Sequence, residues 1–252
     1  MISRQSYVDT PIITREVLLA LFADEPPAEI FDIGACEGLD SIRYRRLFPA
    51  CHVLAFEPLP ANVAAIESHL ERFGVTAVDV IAAALGESSR RETFHVSGGS
   101  PAGRARDPED WCFGNKSGSL LTPNLRTTRS HWPWLEFVSA IEVDVRTLDE
   151  ICEERDRWPD FIHIDVQGAE LDVFRGGVRA LRRARAIWME VSYVEVYEGQ
   201  PLAPAVDAFM SEHGFIALAI VPQGAQADVM YVRLDACAPV PPDIVAALER
   251  VD

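Results

Sequence analysis

Phe31-Asp32-Ile33-Gly34-Ala35-Cys36-Glu37-Gly38 decides the fold of this 252-residue chain: an apolar strand over 29–33 runs through a glycine turn into an amphipathic stretch over 39–47. A strand that feeds a helix through glycines is the opening unit of an α/β sheet, which binds its ligands at the carboxyl ends of its strands. Glycine allows the tight turn and the close backbone approach needed there. A dinucleotide fingerprint would read GxGxxG, its middle glycine letting a pyrophosphate reach the helix N-terminus. Cys36 occupies that middle position. Asp32 and Glu37 would repel a pyrophosphate and attract a ligand carrying an ammonium or sulfonium group. The charge pattern therefore fits S-adenosylmethionine and opposes NAD.

Outward from this turn the alternation continues. Strands are predicted over 52–56, 75–81, 93–97, 141–145, 161–165 and 185–191, and helices over 14–22, 61–73, 148–154 and 169–174. Short β-branched runs separated by amphipathic stretches point to βαβ units and a parallel sheet with helices on both faces. A helix over 204–213 precedes two closing strands, 215–221 and 228–234, joined by Pro222-Gln223-Gly224. That link is too short for a crossover helix, so the last two strands should be antiparallel neighbours. The chain reads as one α/β domain over 1–252, with an N-terminal helical segment over 1–28. Glycine-rich 98–119 lacks periodicity, and 98–140 is expected to be an inserted loop, either a substrate lid or a surface excursion.

The formal charge of −16, from 23 Lys and Arg against 39 Asp and Glu, argues against nucleic acid as a partner. No stretch approaches the about 18 apolar residues of a membrane-spanning helix. The N-terminus has no basic region followed by an apolar core. The five cysteines are well separated and contain no CxxC pair. They read as thiols in a reducing cytoplasm. A homo-oligomer is compatible with all of this.

The second strand ends in Ala55-Phe56-Glu57-Pro58, placing a carboxylate nineteen residues after Gly38, where it can accept hydrogen bonds from both hydroxyls of a ribose. Glu57 is the expected ribose clamp, although NAD proteins share an acid there.

Four blocks carry a resemblance to a known family: FDIGACEG, AFEPLPANV, VRTLDEI at 145–151, and FIHIDVQGAELDVFRGG at 161–177. With AAALGE at 82–87 and IWMEV ending near Glu190, they resemble the FkbM-type S-adenosylmethionine-dependent methyltransferases over about 30–191. The resemblance implies a class I methyltransferase fold, a seven-stranded and mostly parallel sheet with its last strand antiparallel. It also implies methylation of a hydroxyl on a sugar, polyketide or other small natural product. Expected cofactor contacts are Asp32, Gly34, Ala35, Glu37, Gly38, Glu57, Pro58, Ala83, Asp165 and Gln167. Where the family typically reads Lys-Ile-Asp-Val-Glu-Gly, this chain has His163 and Gln167 in place of the lysine and glutamate.

Methyl transfer is an in-line displacement, accelerated by holding the acceptor oxygen against the methyl carbon. A general base adds typically 10²–10⁴ by taking the hydroxyl proton. Asp165, at the end of the 161–165 strand, is the first choice, against a competing role as helix N-cap. Glu170 stands in the first helical turn, where acids are favoured in any case. His163 alternates with buried isoleucines, and Glu190 ends a strand at the same sheet edge. Both are further catalytic candidates. Ser119, His131, Trp132 and Trp134 are the expected acceptor contacts, aromatic surface being suited to stacking on sugar rings as well as to sealing a core. No spacing demands a metal. The competing readings are an NAD-dependent oxidoreductase and a non-catalytic scaffold that binds the cofactor.

Overall fold

A computed structural model describes residues 2–100 and 116–250. Helices α1 (Arg4–Asp9) and α2 (Arg15–Leu21) lead into β1 (Glu29–Ile33), α3 (Leu39–Leu47), β2 (His52–Phe56), α4 (Pro60–Phe73) and β3 (Val78–Ile81). Next come β4 (Ala84–Leu85), β5 (Arg90–Gly99), α5 (Leu125–His131), β6 (Leu135–Arg146), α6 (Leu148–Arg155), β7 (Phe161–Ile164), α7 (Glu170–Arg175) and α8 (Val178–Arg183). The chain closes with β8 (Ala186–Ser192), α9 (Ala203–Glu212), β9 (Ile216–Gln223), β10 (Gln226–Val232) and α10 (Pro242–Leu248).

Seven strands form one sheet in the order β3-β2-β1-β7-β8-β10-β9, parallel except for β10, which runs against both its neighbours. The hairpin and the antiparallel last strand are thus where the sequence puts them. Central strands are buried on both faces, as EIFDI in β1 illustrates, because helices cover each side. On one face Leu148, Val173, Phe174, Leu181 and Met210 pack on Phe31, Ile162 and Ile187. On the other, Leu18, Tyr44, Phe48 and Leu248 pack on Ile30, Phe161 and Trp188. Local chemistry sets the helix ends. Thr147 and Glu150 make a reciprocal capping box on α6, while α4 opens on Pro60 and stops at left-handed Gly74.

Two expectations change. Strands 93–97 and 141–145 do not join the main sheet. They are parts of β5 and β6, which pair antiparallel in a second sheet of order β4-β6-β5. Nor is 98–140 a continuous loop: β5 reaches Gly99, α5 begins at Leu125, and β6 begins at Leu135. The first half of β6 is largely exposed, so it lacks the apolar run that marks a buried strand. Residues 101–115 of that insertion lie outside the described residues. Among the described residues no helix is long and apolar enough to cross a membrane.

Candidate active site

The chain leaves β1 to build β2 and β3, then returns to lay β7 on the other side of β1, and ligands bind beyond the strand ends at such a reversal. Gly34 follows β1 and Asp165 follows β7. Gly34 adopts φ +85°, and both its N–H and that of Ala35 donate to the Phe56 carbonyl at 3.0 Å. A Cβ at residue 34 would lie 2.0 Å from the Asp165 carbonyl oxygen. Gly38, at φ +71°, turns the chain into α3 against Ile66.

Beside this turn lies a partly open cleft. Its floor carries Gly34, Cys36 and Asp165, and its walls are largely apolar, with Pro58, Leu59, Ala83, Leu85, Phe94 and Leu120. Glu57 borders it. The two Glu57 oxygens accept the N–H groups of Cys36 (2.9 Å) and Leu59 (2.8 Å), which fixes the carboxylate while leaving lone pairs for further donors. Burial pushes Glu57 up to about 7 against those hydrogen bonds. Burial likewise raises the Cys36 thiol, which leaves it protonated and unreactive.

A polar row continues along the sheet edge. Asp165 just after β7, Glu190 on β8 and Asp228 on β10 follow one another, with Glu190 and Asp228 directly paired across the strands. Gln167 donates its amide to Asp165 Oδ1 (2.6 Å) and Glu190 Oε2 (3.2 Å), and Gln226 donates to Glu190 Oε2 at 2.5 Å. Burial and the neighbouring acids raise Glu190 well above the carboxylate range and Asp228 to about 7. Asp165 is also raised by burial, opposed by its Gln167 hydrogen bond and by His163.

The remaining expected residues stand further back. Asp32 is buried, accepts from Ser41 Oγ at 2.5 Å and lies 3.1 Å from His163 Nδ1. Burial alone would lower His163, but Asp32, with Asp40 and Asp165 beyond it, pushes it up to about 9. At neutral pH it is a cation and cannot accept a proton. Glu170 Oε1 takes the N–H groups of Val166 and Gly168, both at 3.1 Å, and so staples the turn after β7. Glu37 is held by Arg4 of α1 at 2.7 Å. Pro58 and Ala83 border the cleft; Ala35, Glu37, Gly38 and Gln167 do not. Ser119 is buried, donating to the Gln167 carbonyl at 2.8 Å. His131, Trp132 and Trp134 lie near the turn from α5 into β6 and do not border the cleft.

Sequence reasoning missed Lys116 on the cleft wall, Asp228, Gln226 and Tyr197. Asp228 could have been found by pairing the predicted hairpin against the strand that carries Glu190. Tyr197 follows β8 in irregular chain and had no pattern to mark it.

A glycine turn at the reversal point, an acid after β2, apolar walls after β3 and an antiparallel strand inserted at the sheet edge together define a class I S-adenosylmethionine-dependent methyltransferase. The groups present suit that cofactor: a buried carboxylate for ribose hydroxyls and apolar walls for a purine. The profile of the methyltransferase FkbM domain matches residues 32–217. The chain is 34% identical over 212 residues to the 2-O-methyltransferase NoeI of Sinorhizobium fredii, covering 82% of this chain and 80% of that one. Methyltransferase 1 of Beauveria bassiana is 25% identical, over 67% of this chain and 68% of its own. Among solved structures, magnesium protoporphyrin IX methyltransferase from Synechocystis superposes with TM-score 0.48 at 10% identity, covering 91% of this chain and 79% of that one. This chain belongs to the FkbM methyltransferase family, and S-adenosylmethionine is its cofactor.

Proposed function

We propose that the protein transfers a methyl group to a hydroxyl of a small-molecule acceptor such as a sugar or polyketide, with Asp165 taking the hydroxyl proton. The observation that carries this reading is the position of Asp165. It follows β7 directly on the floor of the cofactor cleft, one oxygen is held by Gln167, and the other takes no hydrogen bond from the described residues. Similarity to a 2-O-methyltransferase supports oxygen as the acceptor atom. Bound S-adenosylmethionine supplies an electrophilic methyl group on a sulfonium sulfur.

The protein's own residues do the rest. Gly34 gives close access to the floor, Glu57 presents acceptors suited to ribose hydroxyls, and Pro58, Leu59, Ala83 and Phe94 exclude water from the neighbouring wall. Asp165 has a raised proton affinity, which strengthens it as a base. His163 supplies a fixed positive charge behind Asp32 and lowers Asp165. A reducing intracellular setting belongs to the same reading, supported by the free thiols Cys36, Cys51, Cys152 and Cys237.

The test is transfer of labelled methyl from S-adenosylmethionine to a panel of hexoses, deoxyhexoses and hydroxylated polyketides, with Asp165→Asn alongside. The expected result is an O-methyl product, unchanged S-adenosylhomocysteine affinity in Asp165→Asn, and a turnover loss of about 10²–10⁴. Methylation at nitrogen or carbon only, or full turnover in Asp165→Asn, would overturn the proposal.

A further inference from the structure

We infer that Gln167 is a positioning residue for Asp165: its side-chain amide, tethered by Tyr197, grips one carboxylate oxygen and thereby fixes the group that takes the acceptor's proton. The inference rests on the proposed role of Asp165 and adds a residue to which that proposal assigns no work.

The geometry begins in the backbone. Gln167 adopts φ +56° and Gly168 φ +99°, a left-handed pair that folds the chain back on itself immediately after β7. A side chain bearing a Cβ enters that region only when its surroundings hold it there. Four contacts do so. The Gln167 carbonyl accepts from Ser119 Oγ at 2.8 Å, the amide nitrogen reaches Asp165 Oδ1 and Glu190 Oε2, and Oε1 lies 3.0 Å from the Tyr197 hydroxyl. Ionised Asp165 only accepts, so the amide nitrogen faces it and the amide oxygen faces the phenol. Tyr197 is itself fully buried, and its one hydroxyl proton is shared between the Ser117 carbonyl at 2.7 Å and Gln167 Oε1 at 3.0 Å, which ties Gln167 to the segment that walls the cofactor cleft.

The charges around Asp165 show why a neutral donor matters at this position. Asp32 and Asp40 press negative charge on it, Glu170, Glu190 and Asp228 repel it wherever they ionise, and His163 is the cation that opposes them. Each acid favours a protonated Asp165, which could not serve as a base. Gln167 offers a donor to two of these acids without adding charge, whereas an acid in its place would bring a third carboxylate within hydrogen-bonding distance. Its nitrogen is fully occupied by Asp165 and Glu190, which leaves it no free donor for the cofactor.

The test reads Asp165 directly and needs no acceptor. Protein carrying ¹³C in its aspartate side-chain carboxyls is titrated by NMR with S-adenosylhomocysteine present, the Asp165 signal being the one missing from Asp165→Asn. In Gln167→Leu its midpoint should rise by about one unit, a tenfold change in proton affinity, while S-adenosylhomocysteine affinity stays within about threefold. Tyr197→Phe, which deletes one oxygen atom, should raise it by a smaller step. A residue that merely shaped the loop could lower stability but would leave the midpoint in place. An unmoved Asp165 signal in Gln167→Leu overturns the inference. Should that variant not fold, an unmoved signal in Tyr197→Phe overturns it equally. Full methyl transfer by Asp165→Asn would instead sink the proposed role of Asp165, while the Gln167-dependent shift would still be measured.

Discussion

The space beyond the Cα of Gly34 belongs to Asp165: a methyl group there would sit 2.0 Å from the Asp165 carbonyl oxygen, and φ of +85° disfavours any side chain in addition. The cofactor turn and the proposed base are thus packed backbone to backbone, and neither can shift alone. Gly34→Ala must push β1 and β7 apart or twist the turn, costing about 3 kcal/mol from overpacking and left-handed strain together. We expect S-adenosylhomocysteine affinity to fall more than tenfold and Tm to drop by about 6–12 °C. Wild-type affinity in calorimetry of Gly34→Ala would show that the contact is dispensable.

Glu57 holds the same turn from the other side through the N–H groups of Cys36 and Leu59. Glu57→Gln keeps one acceptor oxygen but must present an N–H₂ to the other backbone donor, so that one of the two hydrogen bonds is replaced by two donors facing each other. We expect a fall in S-adenosylhomocysteine affinity of about 10- to 100-fold, equivalent to about 1.4–2.8 kcal/mol. Calorimetry with adenine alone separates causes. Unchanged adenine binding places the loss at the ribose, whereas an equal loss would mean that the whole cleft has deformed.

Most of the frame around these contacts was legible in the sequence. β1, β2 and α3 begin and end where the apolar runs and Gly38 put them, because buried parallel strands are continuous apolar segments. The hairpin of β9 and β10 followed from a link too short to cross over. The second sheet was not legible, since exposed β6 carries no burial signal and its pairing with β5 spans a long insertion. Within the site, types of residue were found more readily than their tasks. Asp32, Glu37 and Glu170 are acids at the expected edge, yet their partners are His163, Arg4 and the backbone of the turn after β7. Side-chain pairing between distant segments leaves no local pattern, and for the same reason Tyr197 went unnoticed.

His163 and Asp32 form an ion pair beneath the site, with Asp32 almost fully buried and His163 retaining 18% side-chain exposure. Removing the cation leaves a buried carboxylate whose remaining side-chain donor is Ser41. His163→Leu should therefore destabilise by about 3 kcal/mol, the low end for breaking a buried pair because His163 is partly hydrated. Adding Asp32→Asn should recover over half of that loss, since it removes the stranded charge. Urea denaturation of the two variants measures both steps. A single variant as stable as wild type would mean that water already compensates Asp32.

The buried acids also set how stability depends on pH. Burial holds Glu57 and Glu170 near 7 against an ordinary 4.5, and Asp228 near 7 against 3.8. Each binds a proton more tightly folded than unfolded, so its contribution is present below the ordinary value and lost as pH rises through about 7. His163, raised from 6.5 to about 9, acts in the same direction over a higher window. Glu150 and Glu153, lowered chiefly by Ser89 and Arg179, oppose the trend only below about 4.5. Stability should therefore peak near pH 5 and decline toward pH 9, with Tm lower by at least about 5 °C at the alkaline end. Glu170→Gln makes the cause visible: Oε1 of the amide can still accept from Val166 and Gly168, but no charge develops there. Its Tm should exceed that of the wild type at pH 8.5 and match it near pH 5, and scanning calorimetry at the two pH values decides the matter. A variant that tracks the wild type at both would show that Glu170 stays hydrated and that the alkaline loss comes from elsewhere in the row.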